Sequence, residues 1–240
     1  MRWLVATVAE TVPETAHAVT LRLDVPDWPG HRAGQHVDVR LTAADGYSAQ
    51  RSYSIASAPD ADRVELTVAR FDGGDVSPYL TDIADVGDQF ELRGPIGGWF
   101  VWDGVDTAPV LLVGGGSGVV PLMAMLRHHA ASKSTAAIRL IYSARSLDDV
   151  IYRRELEVLA DDAQRSVTLT LTRNSPPDWE GHRGRVDADL LTAAGWPASV
   201  QPQCYVCGPT SFVESVATTL IELGHEPGQV RTERFGPTGD

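Results

Sequence analysis

The hydrophobic pattern changes character once along the chain. In the first hundred residues apolar positions come in short, Val- and Leu-rich, partly alternating runs, at residues 2–11, 18–25, 35–41, 51–56, 63–70 and 89–93. Alternation with period two predicts strands with one face buried. Turn-forming clusters separate the runs: Pro26-Asp27-Trp28-Pro29-Gly30, Ala44-Asp45-Gly46, Ala58-Pro59-Asp60 and Asp72-Gly73-Gly74. Six short strands at this spacing predict a small antiparallel barrel, with one helix at residues 76–83 opened by Ser77-Pro78.

From Pro109 onward strands and helices alternate. Strands are predicted at residues 109–113, 138–143, 167–172, 203–207 and 229–233, and helices at 119–131, 147–160, 186–194 and 210–223. Such alternation means a parallel sheet with helices on both faces. The polar, turn-prone stretch Asp103-Gly104-Val105-Asp106-Thr107-Ala108 lies between the two patterns, and residues 174–185, with Pro176-Pro177, form the longest irregular stretch. The expectation is a two-domain β plus α/β protein: a six-stranded antiparallel Greek-key barrel over residues 1–104 and a doubly wound parallel sheet over 105–240.

Composition narrows the function classes. At 240 residues and 43% hydrophobic, the chain can bury a real core. A net charge of −12 argues against nucleic acid as a partner, because no broad basic face is available to neutralise phosphates. The two cysteines, Cys204 and Cys207, have C-x-x-C spacing, but on a strand residues three apart point to opposite faces, so a disulfide or shared metal is not expected. Free thiols, no signal pattern and no apolar run of membrane-spanning length suggest a cytoplasmic location.

Candidate chemistry concentrates in a few motifs. Pro109 to Val113 leads into Gly114-Gly115-Gly116-Ser117-Gly118 and then Val119-Val120-Pro121, a strand, glycine turn and helix start that can set backbone N–H groups against a pyrophosphate. A tight turn that binds nothing is the plainer alternative, since Val119 stands where the G-x-G-x-x-G fingerprint ends in glycine. Arg51 and Tyr53 share one strand face, where a guanidinium and a phenol can hold a phosphate and cover a ring; Ser52 and Ser54 share the other. A surface Arg–Tyr pair is the alternative use. Gly73-Gly74-Asp75-Val76-Ser77 can receive a second phosphate, or be a turn capped by Ser77. After the second strand of the α/β half, Ser143 and Arg145 suit a 2′-phosphate, which an arginine grips bidentately; Arg153 and Arg154 follow, while Asp148 and Asp149 offer Arg145 a simple ion pair.

Taken in order, these stretches resemble the ferredoxin–NADP reductase superfamily. Arg-x-Tyr-Ser stands at Arg51, Tyr53 and Ser54, Gly-Gly-x-x-Ser at Gly73, Gly74 and Ser77, and Gly-Pro-x-Gly at Gly94, Pro95 and Gly97. The glycine turn, Cys207-Gly208-Pro209, and the pair Glu233 and Phe235 complete the series over nearly the whole chain. The resemblance implies FAD on the barrel and a pyridine nucleotide on the second half, NADPH favoured and NADH possible. It implies Arg51 on the flavin pyrophosphate, Tyr53 against the ring, Ser54 at the reactive nitrogen, with Ser52 beside them. Val68, Ala69 and Arg70 would line the flavin; Gly73, Gly74, Val76 and Ser77 would cradle the pyrophosphate; Phe235 is the aromatic near the end. The nucleotide would meet Gly115, Gly116, Ser117, Gly118, Ser143, Arg145, Arg153, Cys207, Gly208 and Pro209. Ser54, Cys207 and Glu233 are the implied catalytic positions, with no metal. Cys207 also reads as a small buried strand residue and Glu233 as a surface charge. No iron–sulfur cysteine cluster accompanies the motifs, which implies a stand-alone reductase whose electron acceptor is a separate protein such as a ferredoxin or an oxygenase component. A flavin reductase releasing its product, and a non-catalytic nucleotide-binding regulator, are the competing readings.

Overall fold

The computed structural model describes residues 2–132, 134–159 and 163–236. Its first half is one antiparallel sheet of six strands: β1 (Leu4–Thr15), β2 (Ala18–Asp24), β3 (His36–Thr42), β4 (Ser48–Ser54), β5 (Val64–Ala69) and β6 (Gln89–Ile96), in the order β4-β3-β6-β1-β2-β5. Alternate residues such as Leu21, Leu23, Val37, Val39, Leu66, Val68 and Leu92 are fully buried on the inner face. The short helix α1 (Val76–Asp82) drops Val76 and Leu80 into the same core. The end strands meet through an antiparallel bridge between Ile55 and Leu66, which closes the sheet into a barrel.

The second half runs β7 (Val110–Gly115), α2 (Val119–Ala131), β8 (Ile138–Ala144), α3 (Arg153–Leu159), β9 (Arg165–Leu171), β10 (His182–Arg183), α4 (Ala188–Ala194), β11 (Gln203–Pro209), α5 (Thr210–Glu222) and β12 (Val230–Phe235). All neighbours in this sheet are parallel, in the order β10-β9-β8-β7-β11-β12. β7 is buried along its whole length: Val110 and Leu112 join the core that contains α2, and Leu111 and Val113 the core that contains α4 and α5. The chain runs outward from β7 through β8 and β9 to β10, then crosses back to lay β11 on the other side of β7 and β12 beyond it. That reversal opens a crevice at the carboxyl ends of the strands. The two halves share apolar packing, since Ala33, Ala56, Phe100 and Trp102 belong to the same cluster as Met125 of α2.

Three expectations are corrected. The helix expected over residues 147–160 is broken: a single 3₁₀ turn covers Leu147–Asp149, and α3 starts only at Arg153. Between them Val150, Ile151 and Tyr152 are buried, and Tyr152 takes a left-handed backbone conformation with φ 61°. Tertiary bonds, described below, override the helical pattern there, and the last expected residue, Ala160, lies outside the described residues. The irregular stretch 174–185 contributes a two-residue edge strand, β10. The first strand runs on to Thr15, past Pro13, which a strand tolerates beside a register shift. Cys204 and Cys207 are both buried and free, in cores on opposite faces of the sheet. Among the described residues no helix is long and apolar enough to cross a membrane.

Gly118 marks how tightly the crevice floor is built. A Cβ there would lie 2.1 Å from the carbonyl oxygen of Cys207, a backbone atom that cannot swing away. Gly118→Ala is expected to cost about 3 kcal/mol, read as a fall in Tm. Gly228→Ala, at a position with open space and an ordinary φ, is the matched control and is expected to be near neutral.

Candidate functional site

The barrel wall has an open seam. An antiparallel continuation of the Ile55–Leu66 bridge would set Tyr53 against Val68 and Arg51 against Arg70. Among the described residues no strand pairing is made there: β4 pairs only with β3, and β5 only with β2. Backbone groups that face each other unpaired are costly unless something else satisfies them, so the seam is suited to a flat, polar-edged ligand.

The side chains along the seam fit such a ligand. Arg51 is exposed, donates to the carbonyl of Gln50 at 2.7 Å, and makes no ion pair among the described residues, in a chain with 32 acidic and 20 basic residues. Tyr53 is half-buried against the barrel core, and burial pushes its phenol up, so it stays neutral. Ser54 is buried and its Oγ has no hydrogen-bond partner among the described residues, an orphan of the kind a bound group would satisfy. Ser52 is committed elsewhere: its hydroxyl donates to Asp38 at 2.7 Å, and Asp38 also accepts from Arg93 at 2.6 Å. Next to the seam, Gly74 closes a turn onto the carbonyl of Phe71, and the Ser77 hydroxyl accepts from the Phe71 N–H at 3.0 Å. Val76 and Val68 are wholly inside the barrel core and present only backbone to a ligand. Arg70 pairs with Asp82 and Asp72.

Ser54 does not stand alone. Its strand partner is His36, so the two side chains lie side by side on the outer face. His36 Nδ1 is 3.7 Å from Glu233 Oε1, across the boundary between barrel and parallel sheet. Glu233 is in register with Cys207 of β11, and Phe235 packs against the core that holds Cys207. A chain of neighbours therefore runs from Ser54 through His36 and Glu233 to Cys207, although His36 and Glu233 are 197 positions apart in the sequence. The second Glu233 oxygen has no hydrogen-bond partner among the described residues, and burial pushes this carboxyl up to about 7. Burial also pulls His36 down, against the opposing pull of Asp38, and drives the Cys207 thiol well up with help from the Glu233 charge. Cys207 is thus held as a neutral thiol, and burial favours the neutral forms of His36 and Glu233 as well.

A cavity of about 480 Å³ adjoins the seam at the crevice. The barrel contributes His17, Ala69, Arg70 and Phe71 to it; the parallel sheet contributes Gly115, Gly116, Ser117, Ser143, Arg145, Pro209 and Phe212. Gly116 has φ 55°, and the Phe212 ring lies against Gly115 and Gly208 so closely that a Cβ at either would sit 2.9 Å from it. The carbonyl of Arg145 accepts from the N–H groups of Arg173 and Asn174, at 2.9 and 3.0 Å, which pins the backbone at the cavity mouth. Asp149 bonds Ser146 at 2.6 Å. Arg153 does not line the cavity; it opens α3 and pairs with Glu157 at 3.3 Å. His36, Phe71, Phe212 and Arg173 escaped the sequence reading. His36 lies one residue after Gly34-Gln35 with no chemical signature of its own, and the others acquire a role only where β5, α5 and β9 end.

Comparison with known proteins agrees with this geometry. Residues 5–101 match the family model for the oxidoreductase FAD-binding domain, and residues 112–218 the one for the oxidoreductase NAD-binding domain. The chain belongs to the ferredoxin–NADP reductase superfamily. It is 38% identical over 213 residues to ferredoxin–NADP reductase B of Sorangium cellulosum, covering 85% of this chain and 84% of that one. It is 31% identical to the glycine betaine monooxygenase reductase subunit of Pseudomonas aeruginosa, covering 86% of this chain but 57% of the relative's length. Among solved structures, a ferredoxin–NADP+ reductase from Neisseria gonorrhoeae with bound FAD and NADP superposes with a TM-score of 0.83 at 20% identity, over 98% of this chain and 99% of that one. A cytochrome P450 reductase from Amycolatopsis gives 0.86 at 26% identity, over 99% and 71%. The reductase is therefore an oxidoreductase whose cofactors are FAD and a pyridine nucleotide.

The raised Glu233 carboxyl carries a pH signature. A carboxyl that holds its proton more tightly folded than unfolded favours the folded state while protonated, so its contribution is lost as pH rises from about 4.5 to about 7. Lowered His36 acts in the opposite sense over its own range. In flavin-free protein, Glu233→Gln is expected to flatten the falling limb of the stability–pH curve between those limits, measured by urea unfolding. An unchanged curve would remove Glu233 from the buried set.

Proposed function

We propose that this reductase takes hydride from NADPH onto FAD held in the barrel seam and passes the electrons to a separate redox protein, a ferredoxin or an oxygenase component. The observation that carries the reading is the unpaired seam itself: Arg51, with no ion pair among the described residues, lies along one lip, and the other lip, through Ala69 and Arg70, lines the nucleotide-sized cavity. Division of labour follows the two predicted domains, residues 1–104 and 105–240.

Arg51 would hold the flavin pyrophosphate, with the backbone of Gly73, Gly74, Val76 and Ser77 beside it, and Tyr53 would cover the ring. Val68, Ala69 and Arg70 would meet it from the other lip of the seam. Bound FAD supplies the capacity to accept a hydride and release electrons singly or as a pair. The protein's part is position and exclusion of water. Ser54 would donate its unused hydroxyl hydrogen to the ring edge. Glu233 and His36, half-buried, can hold a proton there and exchange it with solvent. Cys207 would fill space beside the nicotinamide, and its neutral thiol would keep the floor of the crevice free of charge.

NADPH is favoured because Ser143 and Arg145 line the cavity where the second strand ends, and Arg173 lies beside them. The reductases among the relatives include both a ferredoxin–NADP reductase and an oxygenase subunit, which supports an acceptor that is a separate protein.

Two substitutions test the assignments. Arg51→Ala is expected to weaken FAD binding on the order of 10- to 100-fold, the worth of a charged hydrogen bond, so that the variant leaves gel filtration colourless; a fully yellow variant would remove Arg51 from the site. Arg145→Ala is expected to raise the KM for NADPH by roughly 10-fold or more while leaving that for NADH within about 2-fold. Equal effects on both nucleotides would overturn the 2′-phosphate assignment.

A further inference from the structure

The two halves are joined by a buried ring of hydroxyl groups that the chemistry above does not use. The Tyr152 hydroxyl donates to Thr67 Oγ1. Thr67 and Thr20 share a hydrogen bond of 2.7 Å, and the Thr20 hydroxyl donates to Glu14 Oε1 at 2.7 Å. The other Glu14 oxygen accepts from the Tyr152 backbone N–H at 3.1 Å and closes the ring. A carboxylate only accepts, so the proton order is fixed: Tyr152 to Thr67, Thr67 to Thr20, Thr20 to Glu14. Tyr152, Thr67 and Thr20 are 3%, 4% and 2% exposed. Burial pushes the phenol up and keeps it a donor. Over the tyrosine ring, at 5.0 Å, lies the Arg127 guanidinium, bonded to Glu65, to the Ala56 carbonyl and to both oxygens of Glu155.

The members sit where the two walls of the cavity begin. Thr67 directly precedes Val68 at the seam lip. Tyr152 directly follows Ile151, which lines the cavity with Arg145 and Asp149. It is held at both its N–H and its hydroxyl in a backbone conformation with φ 61°, which L side chains rarely adopt. Packing alone would accept phenylalanine here; the hydroxyl adds a fixed distance between loop and lip.

We propose that Tyr152 is a positioning residue: through the Tyr152–Thr67–Thr20–Glu14 ring it fixes the loop 145–151 against the barrel and thereby sets the affinity of the pyridine-nucleotide pocket. The inference rests on the reading that the nucleotide occupies this cavity.

The test uses the FAD-loaded full chain, NADP+ as probe and two variants, Tyr152→Phe and Thr67→Val. Tyr152→Phe is expected to weaken NADP+ binding about 5-fold, the worth of one hydrogen bond, and to raise the KM for NADPH in step, with kcat within about 2-fold of wild type. Backbone hydrogen exchange at 145–151 should speed up in the flavin-loaded, nucleotide-free protein while FAD content is unchanged. Thr67→Val should give the same weakening, the double variant no more, and Thr67→Ser, which restores the hydroxyl, wild-type affinity. NADP+ affinity within about 2-fold of wild type in Tyr152→Phe, additive effects in the double variant, or unaltered exchange at 145–151 would each overturn the proposal. A wild type that binds no NADP+ would instead overturn the assignment of the cavity, and exchange at 145–151 would still decide whether the ring pins the loop.

Discussion

The molecule depends on a sheet that closes at one point and then stops pairing. The Ile55–Leu66 bridge brings the end strands of the barrel together, yet Tyr53 and Val68, next in that register, make no ladder bond among the described residues. Barrels normally remove their edges by continuous pairing. Here the unpaired stretch is retained between a well-buried core and the second half of the chain, and along it stand a neutral phenol and, among the described residues, an Arg51 guanidinium with no carboxylate and a Ser54 hydroxyl with no hydrogen-bond partner. A cofactor that pairs with both lips would complete the wall, so holding the cofactor and finishing the fold become one event.

Burial then decides the chemistry available beside the seam. Cys207, His36 and Glu233 all lie where water is scarce, and each is shifted toward its neutral form mainly by burial. A site lined by neutral groups imposes little reorganisation on a hydride transfer. Glu233, pushed up to about 7, is the group whose protonation changes near neutrality, and its contact with His36 ties that change to the barrel.

Two kinds of bond hold the halves in relation to each other. The shared apolar cluster around Phe100, Trp102 and Met125 supplies adhesion without direction. The Arg127 and Tyr152 networks supply direction, because hydrogen bonds have preferred distances and angles. They converge on the segment between β8 and α3, where a helix expected from sequence gives way to a loop.

The sequence by itself determined the architecture and most of the site's vocabulary. Strand periodicity, glycine turns and the switch to strand–helix alternation are local properties, and they placed the barrel, the parallel sheet, and motif residues such as Arg51, Ser54, Gly116 and Arg145 on the right elements. Only the tertiary structure decided which of them meet. His36 stands on β3 and Glu233 on β12, and no local pattern links them; the fold sets them 3.7 Å apart. Arg153 carries the same charge as Arg145 a short way along the chain, yet it stands on α3, pairs with Glu157 one helical turn on and does not line the cavity. Periodicity reports which face of an element is buried, whereas the partner across that face is chosen by packing over the whole chain.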